Sequence, residues 1–310
     1  MNIRYSVEYP DVIAWLGLAP GEFTLNDAMR YFLRGPRDTA SNAMSLPIIF
    51  EDMVKHGELE RVGNRRGSYR TVKKELVPID ITQADDSPIR MYLPFGMERL
   101  VHIMPGNIIT LGGEKNAGKT ASLLDMAYHN RNNFDVHCFN SEMGAGEIKL
   151  RCRKYSDSNR VSFVEWKKVS FYERSDAFSD VIFPNGLNII DFYECHDEFY
   201  RMGEGIRQIH DKLDKGIAVI AIQKNPGSDD PIGGRRVTEK SRLHCNISYQ
   251  YGKEYPHRLK ISVAKNWANP KNNPMGFFVD YKLANGGYFV IHSFPDPNGG
   301  PPKHWQLSKG

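Results

Sequence analysis

Short apolar runs punctuate the chain between residues 107 and 222, with polar or helix-patterned stretches separating them. The runs at 107–112 (NIITLG), 134–139 (FDVHCF), 187–192 (LNIIDF) and 217–222 (IAVIAI) are strand-length and rich in β-branched and aromatic residues. Parallel neighbours need crossover connections, so this spacing predicts an α/β domain with a mainly parallel sheet. Upstream the period changes. Leu25, Ala28, Met29, Phe32 and Leu33 recur at helical spacing behind a capping-box start at Thr24 and Asp27. A second helix is expected after Ser45, taking Pro47 in its first turn, burying Ile49, Phe50, Met53 and Val54, and stopping at Gly57. Residues 59–62 and 68–72 alternate like strands around a turn at 63–67. Helices followed by a hairpin predict a small winged-helix domain over 1–76. Residues 77–92, with Pro78, Pro88, Asp85 and Asp86, read as an extended linker with little to bury. The α/β core then occupies 93–293, and the proline- and glycine-rich stretch 294–310 reads as an extended tail.

Composition changes this picture little. Cys138, Cys152, Cys195 and Cys245 are scattered without a C-x-x-C pair, which suggests neither a zinc site nor a disulfide scaffold. The first ten residues carry Arg4 and Glu8 and no apolar run long enough for a signal or a membrane span, so a cytoplasmic protein without a membrane partner is expected. The net charge of +4 is too small to name a partner, and charge has to be read locally.

The chemistry concentrates where the run at 107–112 meets Gly113-Glu114-Lys115-Asn116-Ala117-Gly118-Lys119-Thr120, a G-x-x-x-x-G-K-T sequence followed by a helical stretch from Ala121. Strand, glycine-rich loop and helix in that order turn backbone N–H groups and the positive end of a helix toward one point, where they cradle phosphates. Gly113, Asn116, Ala117, Gly118, Lys119, Thr120 and Ala121 are the candidate nucleotide-binding residues, with ATP and magnesium the implied ligands. Lys119 would reach the β- and γ-phosphates, and the Thr120 hydroxyl would bind the metal. Three further strand ends supply candidates. Glu142 follows the run at 134–139 and is the candidate base for an attacking water, Asp191 closes the run at 187–192 as a second magnesium-shell residue, and Gln223 follows 217–222 as a γ-phosphate sensor.

These residues resemble the RecA superfamily of P-loop ATPases, and more closely its DnaB-like replicative helicases and related phage or plasmid ATPases, over residues 90 to about 291. Leu93-Pro94-Phe95-Gly96 and Pro105-Gly106 sit where that family has its lead-in strand and turn, Phe139-Asn140-Ser141-Glu142-Met143 looks like its strand-end glutamate motif, and Ala221-Ile222-Gln223 its glutamine motif. The resemblance implies a RecA-like core, ATP held at subunit interfaces, and a homo-oligomer in a ring or a filament. By the same resemblance Lys265 falls where members place a basic finger for the neighbouring subunit's site. DnaB-like members carry a second basic residue two positions later, whereas this chain has Trp267, with Lys271 further on.

Two basic segments point to nucleic acid. From Arg61 to Lys74 there are six basic residues and no acidic one, and Arg65, Arg66 and Arg70 on the predicted hairpin suit the phosphates of duplex DNA. The long segment after Gln223 ends in Arg235 and Arg236, which, with Lys224, are candidates for single-stranded DNA on an axis-facing loop. The function expected is that of a magnesium-dependent ATPase acting on or bound to DNA, a replication or recombination motor or a helicase. The alternative is a nucleotide-switched assembly or protein-binding ATPase without helicase activity.

Overall fold

Thr24 and Asp27 cap each other: the Asp27 N–H donates to Thr24 Oγ1 (3.2 Å) and the Thr24 N–H to Asp27 Oδ2 (2.8 Å), which starts a helix at Leu25. This is a computed structural model, and it describes residues 7–17, 19, 21–32, 40–63, 67–72, 78–193, 199–225, 227, 228, 232, 234–293 and 304–307. The chain divides into two units, Met1–Ala84 and Asp85–Gly310.

The first unit runs α1 (Tyr9–Leu16), β1 (Glu22–Thr24), α2 (Leu25–Phe32), α3 (Ala40–Lys55), β2 (Leu59–Arg61) and β3 (Ser68–Thr71). Its three strands pair antiparallel in the order β1-β3-β2. The strands and helices bury Val12, Trp15, Phe23, Ala28, Phe50, Met53, Leu59 and Tyr69, with Trp15 meeting Phe23 edge-on at 5.2 Å and Phe50 meeting Tyr69 at the same distance. Helix α3 corrects the sequence reading. It begins at Ala40 and carries Pro47 in its interior rather than its first turn. The helix tolerates the missing N–H because Leu46, Phe50 and Met53, which flank the proline, are fully buried and hold that face against the sheet.

The second unit is built on one mixed sheet. Its elements are β4 (Ile108–Gly113), α4 (Lys119–Asn130), β5 (Val136–Asn140), α5 (Ala145–Asn159), β6 (Val169–Glu173), β7 (Leu187–Asp191), α6 (Phe199–Lys212), β8 (Ile217–Gln223), β9 (Ser241–Tyr249), β10 (His257–Ala264), β11 (Phe277–Ala284), β12 (Tyr288–Ile291) and β13 (Gln306–Leu307). The strand order is β12-β11-β10-β9-β4-β8-β7-β5-β6, with β13 on β11. From β9 to β6 every pairing is parallel, as the apolar runs predict. Beyond β9 the strands β9 to β12 follow one another in chain order and pair antiparallel. Strand β8 is buried on both faces: Ile217, Val219 and Ala221 join one apolar cluster, and Ala218, Ile220 and Ile222 the other.

Parallel pairing aligns the C-terminal ends of four strands on one edge. Gly113 of β4 lies opposite Gln223 of β8, and Asn140 of β5 opposite Asp191 of β7. The linker and tail expected at either end of the core are both partly docked. Ile89 donates its N–H to the Ile103 carbonyl (2.7 Å), Met91 and Leu93 are buried, and the Tyr92 N–H bonds Asn130 Oδ1 (2.8 Å). At the other end His304 Nε2 and Trp305 Nε1 both donate to the Phe95 carbonyl, at 2.9 and 3.0 Å, and β13 adds to the edge of β11. Residues 294–303 and 308–310 of the expected tail lie outside the described residues.

A buried carboxylate ties α4 to its surroundings. Asp125 accepts from the hydroxyls of Tyr92 on Oδ2 (2.7 Å) and Tyr155 on Oδ1 (2.8 Å), and His129 Nδ1 sits 3.3 Å from the same Oδ1. Removing one hydroxyl leaves a buried charge short of a donor, so Tyr155→Phe should cost about 1.5–3 kcal/mol in urea unfolding. The hydrogen bond that His129 donates to Asp125 raises the His129 pKa above its usual 6.5. The stabilisation from this pair is therefore complete below that pH and is lost as pH rises through the higher folded value. Unfolding midpoints measured from pH 5 to 9 should fall over that window in the parent chain and should flatten in His129→Asn; parallel curves would remove the pair from the account.

Candidate functional site

Strand β4 ends at Gly113, and the backbone turns through Asn116 (φ 63°) and Gly118 (φ 100°) before α4 starts at Lys119. Glycine is required at Gly118 twice over. Its φ is left-handed, and a β-carbon there would stand 2.8 Å from Leu283 Cδ1. A β-carbon at Gly113 would meet Lys119 Cγ at 2.6 Å. Ala117 is fully buried and its carbonyl accepts from His257 Nδ1 (3.0 Å), which fixes the outer wall of the turn to the start of β10. The Lys119 ammonium donates to the carbonyls of Gly113 (2.9 Å) and Glu114 (3.0 Å).

Beside this turn lies a cleft of about 440 Å³. Residues 115–121 form one wall, and Glu142, Asp191 and Gln223 approach from the ends of β5, β7 and β8. The structure thus brings together Asn116, Ala117, Gly118, Lys119, Thr120, Ala121, Glu142, Asp191 and Gln223, with Gly113 at the root of the loop. Thr120 and Asp191 line the same cleft. Burial pushes the Asp191 carboxyl above its usual pKa, against the Thr120 hydrogen bond and the Lys119 charge. Burial lowers the Lys119 pKa, against the pull of Asp191 and Glu142. A cation and two carboxylates thus balance in a half-enclosed space, which suits a polyanion carried with a divalent metal.

Three lining groups escaped sequence reasoning. Arg151 reaches the cleft from α5, where Glu147 one turn earlier holds its guanidinium at 2.9 Å. Nothing in its local sequence separates it from Arg153 or Lys149. Leu283 and Gly286 come from the β11–β12 hairpin, whose Asn285-Gly286 dipeptide is a hairpin signal, although its meeting with the phosphate-type loop is visible only in the fold. Phe192 completes the lining, its ring 6.0 Å from Lys119 Nζ.

Other candidates lie elsewhere. Strand β10 starts beside Ala117 and ends at Ala264, so Lys265 stands at the far end of that strand from the loop. Its Nζ donates to the Glu239 carbonyl (2.7 Å), while Trp267 turns back to donate to the Ala264 carbonyl (2.8 Å). Lys224 is not a surface cation. It is buried, with Nζ bonded to the Ser228 carbonyl (2.7 Å) and Ser248 Oγ (2.9 Å) and 3.3 Å from Glu114 Oε1, a set of partners that removes it from the nucleic-acid candidates. The segment after it closes into a short helical turn, Gly234–Thr238, in which Arg236 is exposed and Val237 fully buried; the Arg235 side chain lies outside the described residues. In the first unit Arg65 and Arg66 lie outside the described residues, Arg70 pairs with Glu60, and Arg61 lies 3.4 Å from Glu51.

No family model and no curated protein matches this sequence. Among solved structures, the chain is similar to a KaiC-like protein from the hyperthermophilic archaeon Pyrococcus horikoshii, at a TM-score of 0.50 and 13% identity, over 66% of this chain and 99% of that one. The second unit has a RecA-like P-loop fold. A RadB recombinase superposes at a TM-score of 0.45 and 10% identity, over 59% of this chain and 90% of that one. No helix among the described residues is long and apolar enough to cross a membrane.

In the RecA-like core Gly118 combines a left-handed φ with a blocked β-carbon position. Gly118→Ala should destabilise the chain by about 1–3 kcal/mol, the usual cost of a side chain held in a left-handed conformation. Gly144→Ala is the control, because its φ is −74° and an added β-carbon there meets nothing within 4 Å. Equal urea midpoints for the two variants would mean that the turn relaxes freely.

Proposed function

We propose that this chain is a magnesium-dependent ATPase. The observation that carries the reading is the convergence of Lys119, Thr120, Glu142, Asp191 and Gln223 on one cleft from four separate strand ends. Glycine-turned amides and Lys119 bind the phosphates, and Thr120 and Asp191 are the residues that would hold magnesium. Magnesium, when bound, neutralises charge on the phosphates. Glu142 is exposed at the mouth of the cleft, where its carboxylate can accept the proton of an attacking water. Lys119→Ala should weaken ATP binding in calorimetry and turnover together. Glu142→Gln should keep binding and lose at least about tenfold in turnover; full turnover in that variant would place the base elsewhere.

The chain acts as an oligomer with ATP at subunit interfaces. An apolar groove of about 430 Å³ opens between α5 and β6, lined by Ile148, Phe163, Val164, Trp166, Phe171 and Tyr172, and Val164 on its rim is 61% exposed. An apolar surface of that kind beside the cleft supports assembly. Lys265 serves the neighbouring subunit from the far end of β10. The first unit is a winged helix, a reading supported by three helices on a β1-β3-β2 sheet, and it holds duplex DNA through Arg65, Arg66 and Arg70, while Arg235 and Arg236 meet a single strand. Replacing the three hairpin arginines with alanine should lower DNA affinity and flatten its salt dependence, with DNA-free ATP turnover hardly changed.

A second reading is a nucleotide-switched protein-binding ATPase, and specific observations favour it. Arg61 and Arg70 are already paired with Glu51 and Glu60, and Met44 and Ile48 stand 70% and 69% exposed on α3. Trp267 is turned into its own subunit. If the arginine variants bind DNA as the parent does across a salt series, the protein-binding reading replaces the DNA reading.

A further inference from the structure

The carboxylate assigned to the attacking water, that of Glu142, is held by no hydrogen bond or ion pair among the described residues. Its place over the cleft is therefore set by its backbone, the loop Ser141-Glu142-Met143 between the end of β5 and Gly144, the residue before α5. Contacts at both ends fix that loop. The Ser141 N–H donates to the Asp191 carbonyl (3.2 Å), and the Asn140 side-chain Nδ2 donates to the Met143 carbonyl. Asn140 is itself anchored. It closes β5 between Glu173 of β6 and Asp191 of β7, its carbonyl accepts from the Arg174 N–H (2.9 Å), and its side chain is buried. An amide rooted in the sheet thus spans the loop and closes it into a ring with Glu142 at its middle.

The other end of that amide gains nothing from the arrangement. A carbonyl only accepts, so Met143 requires Nδ2 and leaves Asn140 Oδ1 buried without a donor among the described residues. An unmet buried acceptor is costly, and an apolar side chain of similar size would avoid the cost but open the ring. We infer that Asn140 is a positioning residue for ATP hydrolysis: through the Met143 carbonyl it fixes the loop that carries Glu142, and so the distance from that carboxylate to the attacking water. The inference rests on the ATPase reading with Glu142 as the base. Asn140 does not line the cleft, and the phosphates are held by the separate loop that ends at Lys119 and Thr120. A reacting group displaced by about 1 Å costs on the order of 10²-fold in rate. Loss of the amide therefore falls on turnover and spares affinity.

The test uses the full chain, with ATP turnover measured beside calorimetry of a non-hydrolysable ATP analogue. Asn140→Leu keeps the approximate volume and removes the amide. It should bind the analogue within about threefold of the parent and lose about tenfold or more in kcat. A double-mutant cycle separates positioning from general loosening. In a Glu142→Gln background the base is already gone, so Asn140→Leu should lower turnover there by less than about twofold further. Asn140→Ala should behave in the same way and carries the test if Asn140→Leu does not fold. A parent that fails to bind the analogue ends the ATPase reading and this inference together. Full turnover in Glu142→Gln leaves an ATPase whose base lies elsewhere and ends the inference alone. Where the parent binds and Glu142→Gln is impaired, three results overturn the positioning role while the ATPase reading stands: parent-like turnover in the Asn140 variants, an affinity loss that matches the loss of turnover, or a loss that adds in full to that of Glu142→Gln.

Discussion

At three glycines, two closing β4 and one opening α4, one methyl group would not fit. Lys119 crowds Gly113 from within the loop, Leu283 crowds Gly118 from the β11–β12 hairpin, and Asn246 of β9 presses against Gly112. The rest of the structure is arranged around this shortage of space. A backbone bare of side chains exposes its amides, and amides held by neighbours on every side cannot collapse onto one another. Such a turn has little conformational freedom left to lose when an anion arrives. The hairpin that supplies Leu283 is itself fixed, because Asn159 donates to the Gly287 carbonyl (2.8 Å) and Gly287 lies against the Tyr155 backbone. Tyr155 in turn bonds Asp125 of α4. A route of contacts thus leaves the loop by one end and returns to the helix that the loop begins.

Charge is arranged on the same principle of mutual restraint. Asp191 is pushed toward its neutral form by burial and pulled toward its charged form by Thr120 and Lys119. Lys119 experiences the converse. Each group therefore depends on the others for its protonation state, and replacing any one of them shifts the rest. Glu142 joins this balance from the exposed mouth of the cleft, where its charge favours the Lys119 cation and opposes ionisation of Asp191.

The parallel half of the sheet was readable because its strands are buried on both faces and show as unbroken apolar runs; β4, β5, β7 and β8 lie within two residues of those runs. Their ends gave the cleft directly, since the residue after a buried run is the residue at the sheet's edge. What escaped was the flank. Strand β10 alternates in burial along most of its length and β11 only in part, and a period-two signal diluted by His257, Lys260 and Asp280 is indistinct in the sequence. Arg151 and Leu283 escaped for a different reason: each reaches the cleft across a fold-level contact that no local pattern encodes. Lys224 misled because an isolated lysine in a glycine-rich stretch looks exposed until its partners, 110 residues upstream and 24 downstream, are brought beside it. Pro47 misled by obeying a rule for helix starts in a helix that starts earlier.

The position of β4 has a consequence for how the molecule is made. Its hydrogen-bonding neighbours are β8 and β9, which begin at Ile217 and Ser241, more than a hundred residues later in the chain. Contacts that close such long loops form late, since the entropy of closure has to be met before the pairing rewards it. On a ribosome, the strand that ends in the phosphate-type loop emerges without either partner and waits while more than a hundred further residues are added. Until then its six buried residues are an unpaired apolar edge of the kind that other chains join. The same long-range pairing that makes the finished loop rigid therefore makes its strand the segment most in need of shelter during synthesis.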